Sequence, residues 1–227
     1  MRRPLLWAHR GAHHREVENT MAAFEAAIGV RADGVELDVR ATRDGAVVVF
    51  HDHDLRRLAG DARALDALLR RELPAVGGAP IPTLDDALDL LLGAGLRVNV
   101  EVKAGAAACA GVLARRRPAE RERVVVSSFD PAALTAVREA LPSVACALLF
   151  DREAALAPSA FADVAGVHPH HEAVDAPSVA RWHARGWFVN VWTVNDPARA
   201  RDLARMGVDG LVTDDVPAAR RACESSG

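Results

Sequence analysis

The stretch Asp33–Asp52, DGVELDVRATRDGAVVVFHD, decides the fold because it begins with a strand in which acids alternate with apolar residues. The acids Glu36 and Asp38 share one face of that strand. A half-exposed antiparallel strand tolerates such acids, whereas a strand of a buried parallel sheet is covered on both faces and is normally apolar throughout. The kind of sheet that contains this strand therefore determines what the two acids do.

Short apolar runs alternate with helical patterns along the whole chain of 227 residues. The predicted strands are 5–9, 34–38, 97–102, 123–128, 145–150, 164–168, 187–193 and 210–213. Helical segments follow the strands, and several begin at Asp or Thr and end at Gly or Pro. Eight such units predict parallel strands in a single (β/α)₈ TIM-barrel domain over 1–227. The alternative, an open doubly wound sheet, would want a G-x-G-x-x-G loop after its first strand, which this chain lacks.

One element interrupts the alternation, since only ATRDG separates the acidic strand from the apolar run AVVVFHD. This linker is too short for a helical crossover and predicts a β-hairpin extension after the second strand, with its turn at Asp44-Gly45. The hairpin is expected to pair Asp38 near Val49 and Glu36 near His51, to within one or two residues of register. In every such register His51 is brought beside the acids.

The carboxyl ends of the predicted strands are rich in charged residues, and reactive groups of barrel enzymes lie at those ends. Three carboxylates, Glu36, Asp38 and Glu101, are expected to meet there. Unpaired, they would repel one another and be costly to desolvate, so a bound cation is needed. A set of oxygen ligands selects a hard ion, and the sequence therefore predicts Mg²⁺ or Ca²⁺ rather than zinc.

Two histidines, His9 and His51, and two cations, Arg10 and Lys103, surround the predicted metal site. Fixed positive charges hold phosphate oxygens, while one imidazole accepts a proton from the nucleophile and the other donates one to the leaving group. The pattern predicts chemistry on a phosphate ester and leaves open which histidine is the acid. In the alternative interpretation, Arg10 and Lys103 are ion-pair partners of the acids in a stabilising network without chemistry.

Six segments of the chain resemble, in order, the signature motifs of the glycerophosphodiester phosphodiesterases. They are AHRGAHHREVENTMAAFEAAI, GVELDVRATRDGAVVVFHD, VNVEVK, SSFDPAAL, VNVWTVND and GVDGLVTDDVP, which span Ala8 to about Pro217. The resemblance implies a (β/α)₈ barrel with metal ligands Glu36, Asp38 and Glu101, acid and base His9 and His51, and phosphate contacts Arg10 and Lys103. It also implies hydrolysis of glycerophosphodiesters to sn-glycerol 3-phosphate and an alcohol, in which the substrate's neighbouring hydroxyl is often thought to attack first and give a cyclic phosphate.

The chain departs from the family pattern in two places. Val17 stands where the family usually has proline, and this change alters a loop without touching a chemical group. The segment 53–82 is short and basic and lacks the usual threonines, which affects the expectation for substrate specificity and not for the reaction. Trp192, at the end of the seventh predicted strand, is either core packing or a platform under the glycerol or alcohol group, and both interpretations stay open.

Several other polar residues are predicted to have no chemical role. Asn19 and Thr20 are expected to cap a helix, and His13 is expected to be a loop residue. The run HPHH at 168–171 suggests zinc, but adjacent histidines are poorly spaced as ligands, so a loop is predicted.

Composition and charge limit the class of protein. The net charge of −3 argues against a nucleic-acid binder. Three cysteines, Cys109, Cys146 and Cys223, show no CxxC spacing and favour a reducing compartment. The longest apolar runs fall short of the roughly 20 residues of a membrane span, and the N-terminal run is too short for a signal peptide. A cytoplasmic protein is expected, and its oligomeric state is not predicted.

Two alternative functions are weighed against hydrolysis of a small glycerophosphodiester. A lysophospholipase D-like enzyme on the same barrel would need an apolar collar or a membrane-facing helix, and the sequence shows neither. A non-catalytic protein that binds phosphate esters would have no use for the two proton-transferring histidines, His9 and His51.

Overall fold

The computed structural model describes residues 3–153, 158–161 and 164–224, and its central element is a closed barrel of eight parallel strands. The strands are β1 (Leu5–His9), β2 (Gly34–Ala41), β8 (Arg97–Val102), β9 (Val124–Ser128), β10 (Ala145–Phe150), β11 (Gly166–Pro169), β12 (Phe188–Val191) and β13 (Gly210–Thr213). Each strand pairs with the next in this order, and β13 pairs with β1 to close the barrel. The (β/α)₈ prediction is confirmed.

Helices connect the barrel strands. They are α1 (Met21–Gly29), α3 (Leu84–Gly93), α4 (Ala106–Ala114), α5 (Pro118–Arg121), α6 (Pro131–Ala140), α7 (Ala176–His183), α8 (Pro197–Met206) and α9 (Val216–Glu224). Side chains cap several of them as predicted: Thr83 accepts a hydrogen bond from Asp86 N–H, and Asp196 accepts one from Ala198 N–H. Between β10 and β11 the described residues form a 3₁₀ helix, Pro158–Phe161, where an eightfold repeat predicts an α-helix.

The predicted hairpin is formed by β2 and the short strand β3 (Val47–Val49), which runs antiparallel to it. Val49 lies opposite Val39, one residue from the predicted pairing with Asp38 and within the predicted slip. The first half of the same edge of β2 is occupied by β1, where His9 pairs with Glu36. Because β1 takes that half, β3 can pair only with the second half, beside the barrel mouth.

Residues 53–82 form a small insertion between the hairpin and α3. It contains the ribbon β4 (Asp54–Leu55) and β5 (Asp61–Ala64), helix α2 (Arg56–Ala59), and the ribbon β6 (Ala75–Val76) and β7 (Ala79–Pro80). A second hydrophobic core holds it together, formed by Val48, Phe50, Leu55, Leu65, Leu68, Val76 and Ile81. Val17 packs against this core, so the loop after β1 and the insertion form one packed unit.

Near the amino-terminal ends of the barrel strands, two large aromatic rings lie directly against glycines. A Cβ atom on Gly34 would lie 2.5 Å from the ring of Trp7, and one on Gly166 would lie 2.5 Å from the ring of Phe188. At distances this short, a side chain at either position would clash with the ring unless the ring shifted. The β-strands therefore bring these rings close to the neighbouring backbone only because glycine stands there.

His168 ends the predicted strand 164–168 and does lie in a strand, whereas the loop predicted for the run at 168–171 is wrong for Pro169. His168 and Pro169 end β11, and His168 is buried within 3.1 Å of the Asn190 amide nitrogen. A polar residue is tolerated there because an inward position of a barrel strand offers partners on neighbouring strands.

Helix length and cysteine burial are two further features of the described residues. None of the helices in those ranges has the length and apolar character needed to cross a bilayer. Cys109 and Cys146 are free and buried, and Cys223 is free and partly buried.

Candidate active site

Three buried carboxylates meet at the carboxyl-terminal mouth of the barrel, as predicted. Glu36 and Asp38 lie on β2, and Glu101 on β8 is the register partner of Asp38. One oxygen from each carboxylate lies within 4.8 Å of the other two. Burial, followed by the charges of Asp38 and Glu101, raises the pKa of Glu36 well above its usual range. Burial and the Asp38 charge raise the pKa of Glu101 to about 7.

The carboxylate cluster has the properties of a cation site. Oε2 of Glu36 accepts a hydrogen bond of 3.2 Å from the backbone N–H of Arg10, whereas buried Oε1 accepts none from any described residue. A buried carboxylate oxygen without a donor is costly unless a cation or water satisfies it. Since the three residues of the cluster offer carboxylate oxygens as ligand atoms, the cluster fits Mg²⁺ or Ca²⁺.

Two partly exposed cations lie against the same carboxylates. Lys103 Nζ is 2.5 Å from Glu101 Oε1 and 3.4 Å from Asp38 Oδ1, and Arg10 Nε is 3.1 Å from Asp38 Oδ2. Burial works against both positive charges, but the carboxylates outweigh it and raise the pKa of Arg10 and of Lys103. Both side chains thus stay charged at the mouth, where a phosphate would approach.

Each of the two predicted catalytic histidines is held at Nδ1 by a carboxylate. His9 Nδ1 is 2.7 Å from Asp214 Oδ1, and His51 Nδ1 is 2.7 Å from Asp52 Oδ1. Nε2 of His9 then faces the carboxylate cluster, 4.0 Å from Glu36 Oε2. Burial lowers the pKa of His51 and outweighs the nearby carboxylates. A carboxylate at Nδ1 fixes the orientation of an imidazole and leaves Nε2 for proton transfer.

Asp214 is a member of the site that the sequence-based prediction did not assign. Besides His9, it contacts His13 Nε2 at 3.1 Å through Oδ1 and Asn195 Nδ2 at 2.6 Å through Oδ2. Burial opposes the charge of Asp214, but the hydrogen bonds from His13 and His9 outweigh it and hold its pKa well below the usual range. His13 does lie in a loop as predicted, yet its ring contacts the site. The signal for Asp214 in the sequence was its place directly after the eighth strand.

Asn19 corrects the prediction that the Asn19-Thr20 pair serves only as a helix cap. Thr20 is the cap, since its side chain accepts a hydrogen bond from Ala23 N–H. Asn19 is buried with a φ of 57°, and its Nδ2 donates a hydrogen bond of 2.9 Å to Asp38 Oδ2. Asn19 therefore orients a carboxylate of the cluster.

Aromatic residues line the mouth on the side of β9, β11 and β12. Trp192 is half-buried, and its Nε1–H donates a hydrogen bond of 2.8 Å to the His168 carbonyl. Its ring meets those of Phe129 and His170 edge to face, at centroid distances of 5.4 and 5.1 Å. Lys103 Nζ lies 5.6 Å from the centroid of the Phe129 ring. Trp192 is thus held by packing, and it also lies against Phe129, whose ring contacts Lys103 at the mouth.

Comparison with known proteins gives one consistent family. Residues 9–218 match the profile of the Glycerophosphoryl diester phosphodiesterase family. A glycerophosphodiester phosphodiesterase of Caldanaerobacter subterraneus is 33% identical over 93% of this chain and 94% of its own. One of Bacillus altitudinis is 29% identical over 92% of this chain and 94% of its own.

Solved structures agree with the sequence comparison. An Oleispira antarctica phosphodiesterase in complex with the product sn-glycerol-3-phosphate superposes with a TM-score of 0.86 and 28% identity, over 98% of this chain and 97% of that one. A glycerophosphodiester phosphodiesterase of Thermotoga maritima superposes with a TM-score of 0.81 and 30% identity, over 95% and 96% of the two chains.

Proposed function

This chain belongs to the glycerophosphoryl diester phosphodiesterase family and is a phosphoric diester hydrolase, and we propose that it cleaves glycerophosphodiesters to sn-glycerol 3-phosphate and an alcohol with a divalent cation. The observation that carries the proposal is the convergence of three buried carboxylates, two cations and two carboxylate-held histidines at one mouth. The product bound to the Oleispira antarctica relative supports the choice of product.

The proposed metal ligands are Glu36, Asp38 and Glu101. A divalent cation bound there would offset their charge and polarise a phosphate oxygen. Arg10 and Lys103 would bind the other phosphate oxygens, because both are charged, partly exposed and directed at the cluster. Their present ion pairs with the carboxylates keep them in place before substrate binds.

The proposed proton transfers use Nε2 of His9 and of His51. Donation of Nδ1–H to Asp214 and to Asp52 leaves each Nε2 with a lone pair in the neutral ring. The histidine that acts as base takes the proton of the attacking substrate hydroxyl at its Nε2 lone pair. The histidine that acts as acid starts as the imidazolium, with a proton on Nε2 as well, and donates that proton to the leaving alcohol oxygen as its bond to phosphorus breaks. Water then opens the cyclic phosphate with the two proton transfers reversed.

The surface of the mouth favours a small polar alcohol over an acyl chain. In the described parts of the chain Phe129, at 40% exposure, is the one large apolar side chain that is strongly exposed. An acyl chain needs a continuous apolar surface, which a single ring cannot provide. We therefore favour a small leaving alcohol over the lysophospholipase D-like alternative.

The first prediction is activity on glycerophosphocholine with Mg²⁺ or Ca²⁺, measured by coupling release of glycerol 3-phosphate to its dehydrogenase. A chelator should abolish the activity, and His9→Ala and His51→Ala should each lower kcat by about 10²- to 10⁴-fold because each removes a proton-transfer group. His183→Ala is the matched control, since His183 ends α7 and pairs with Asp209, which directly precedes β13 at the amino-terminal end of the barrel, away from the mouth. Full activity in both site variants contradicts the acid–base roles, and absence of turnover favours a binding protein.

Glu36→Gln separates metal binding from folding in the same protein. Saturating Mg²⁺ or Ca²⁺ should raise the Tm of the wild type and have little effect on the variant, because a ligand that binds only the folded state stabilises it. Without metal the variant should be at least as stable as the wild type, since a buried charge is removed. Equal metal-induced shifts in both proteins would refute the ligand role of Glu36.

A further inference from the structure

Arg57, on helix α2 of the insertion, pairs with two carboxylates at once. Its Nε and Nη2 lie 2.7 and 3.2 Å from the two oxygens of Asp52. Its Nη1 and Nη2 lie 3.1 and 2.7 Å from the two oxygens of Glu18. Two bidentate contacts use the planar donor set of a guanidinium almost completely, which a lysine could not reproduce.

Both partners of Arg57 contact residues of the active site. Asp52 Oδ1 is 2.7 Å from His51 Nδ1, and Glu18 Oε1 is 2.9 Å from Arg10 Nη1. Arg57 is therefore one carboxylate removed from a proposed proton-transfer group on one side and from a proposed phosphate contact on the other.

The charges of the two carboxylates depend on this arrangement. The hydrogen bond from Arg57, with that from His51, lowers the pKa of Asp52 to about 2. Burial opposes the charge of Glu18, but Arg57 and Arg10 outweigh it and lower its pKa. Without Arg57, Glu18 would keep Arg10 as its main partner and compete with a phosphate for that guanidinium, while Asp52 would lose a bond that orients it toward His51.

We propose that Arg57 is a positioning residue, through which the insertion orients His51 for proton transfer and holds Arg10 available for phosphate. The inference rests on the proposed function of those two residues. It does not rest on the stabilising effect of exposed ion pairs, which is usually small. It rests on geometry, because one side chain fixes two carboxylates that each hold a different member of the site.

The insertion is docked independently of Arg57, so the two effects can be separated by experiment. Its hydrophobic core includes Phe50 of the hairpin and packs against Val17. A Cβ atom on Gly77 would lie 2.8 Å from Val17 Cγ2, which shows how closely the insertion approaches the loop after β1. The Arg57 side chain itself is 46% exposed and outside this core, so its replacement leaves the docking contacts intact.

The test compares Arg57→Gln and Arg57→Lys with the matched control Arg56→Gln. Arg56 is the preceding residue of α2 and is exposed. Its hydrogen bond to Asp54 comes from its backbone N–H and does not involve its side chain. Arg57→Gln should lower kcat on glycerophosphocholine by about 10- to 100-fold, with a Tm close to wild type. The kcat of Arg57→Lys should lie between that of Arg57→Gln and that of the wild type. Arg56→Gln should keep the kcat of the wild type.

Imidazole NMR with ¹⁵N-labelled histidine supplies the readout that a merely structural role would not change. In the wild type, His51 should show a single neutral form protonated at Nδ1, and Arg57→Gln should show a mixture of the two neutral forms. Unchanged kcat in Arg57→Gln overturns the inference, and so does a lower kcat with unchanged His51 signals. If the wild type does not turn over glycerophosphocholine, the proposed function fails, while the NMR comparison still decides the role of Arg57.

Discussion

At the scale of single residues, Asn19 shows how a side chain outside the predicted ligand set supports it. Its side-chain amide donates a hydrogen bond to Asp38 Oδ2, and the same oxygen lies 3.1 Å from Arg10 Nε. Asp38 Oδ1 is thereby left directed toward Lys103 and the carboxylate cluster. Loss of a residue that orients a metal ligand typically weakens metal binding by about 10- to 100-fold.

Asn19→Ala should therefore weaken Mg²⁺ or Ca²⁺ binding by about 10- to 100-fold, measured by calorimetric titration. The adjacent Thr20→Ala is the matched control, because Thr20 caps α1 and its loss should cost about 1 kcal/mol of stability. Metal affinity should be unchanged in Thr20→Ala. Equal weakening in the two variants would mean that Asn19 acts only through the helix start.

At the scale of elements, β2 explains why two acids occur on a buried strand. Its inward positions reach the mouth, where Asp38 pairs in register with Glu101 of β8. The edge of β2 opposite β8 pairs with two strands, β1 along its first half and β3 along its second half. This division places β1, which ends at His9, and the hairpin strand that leads to His51 along the same edge of β2.

Close packing of the barrel strands gives a prediction that concerns β2 alone. Gly34→Ala should lower the free energy of unfolding by about 1–3 kcal/mol, because the new methyl group would lie 2.5 Å from the Trp7 ring. Gly111→Ala is the control, since a Cβ there meets no atom within 4 Å and the residue is an exposed position inside helix α4. It should stabilise the protein by about 0.5–1 kcal/mol. Urea denaturation measures both, and a stable Gly34→Ala protein contradicts the packing.

At the scale of the whole molecule, His168 couples global stability to pH. Burial lowers its pKa from 6.5 to about 3, so the folded protein keeps the ring neutral while the unfolded chain takes up a proton below pH 6.5. Stability from this residue is therefore fully present above pH 6.5 and is lost as the pH falls from 6.5 toward 3.

His168→Gln should remove this part of the pH dependence. Between pH 6.5 and the folded pKa, the free energy of unfolding of the wild type should fall relative to the variant by up to about 1.4 kcal/mol per pH unit. Urea denaturation at pH 7.5, 5.5 and 4.5 measures the difference, and the value at pH 7.5 gives the cost of the substitution itself. If the free energy of unfolding depends on pH in the same way in both proteins, the pKa of His168 is not lowered in the folded state.

The amino-acid sequence by itself determined the alternation of strands and helices, the barrel and the three acids at its mouth. These follow from local patterns: a period of two along β2, caps such as Thr83, and a linker too short to cross the barrel. Such patterns act between neighbours in the chain, where residue type and spacing are enough to predict the outcome.

Only the tertiary structure decided which side chains hold the candidate catalytic groups. Asp214 contacts His9 across 205 residues of sequence, and Arg57 contacts Glu18 across 39. Charged residues are common on any surface. The place of Asp214 after the eighth strand puts it at the mouth without naming its partner, and neither residue type nor spacing distinguishes Arg57 from a solvated arginine. Closure of the barrel brings β13 beside β1, and docking of the insertion brings α2 beside the loop after β1. Those long-range contacts depend on the packing of the whole chain and on no local pattern.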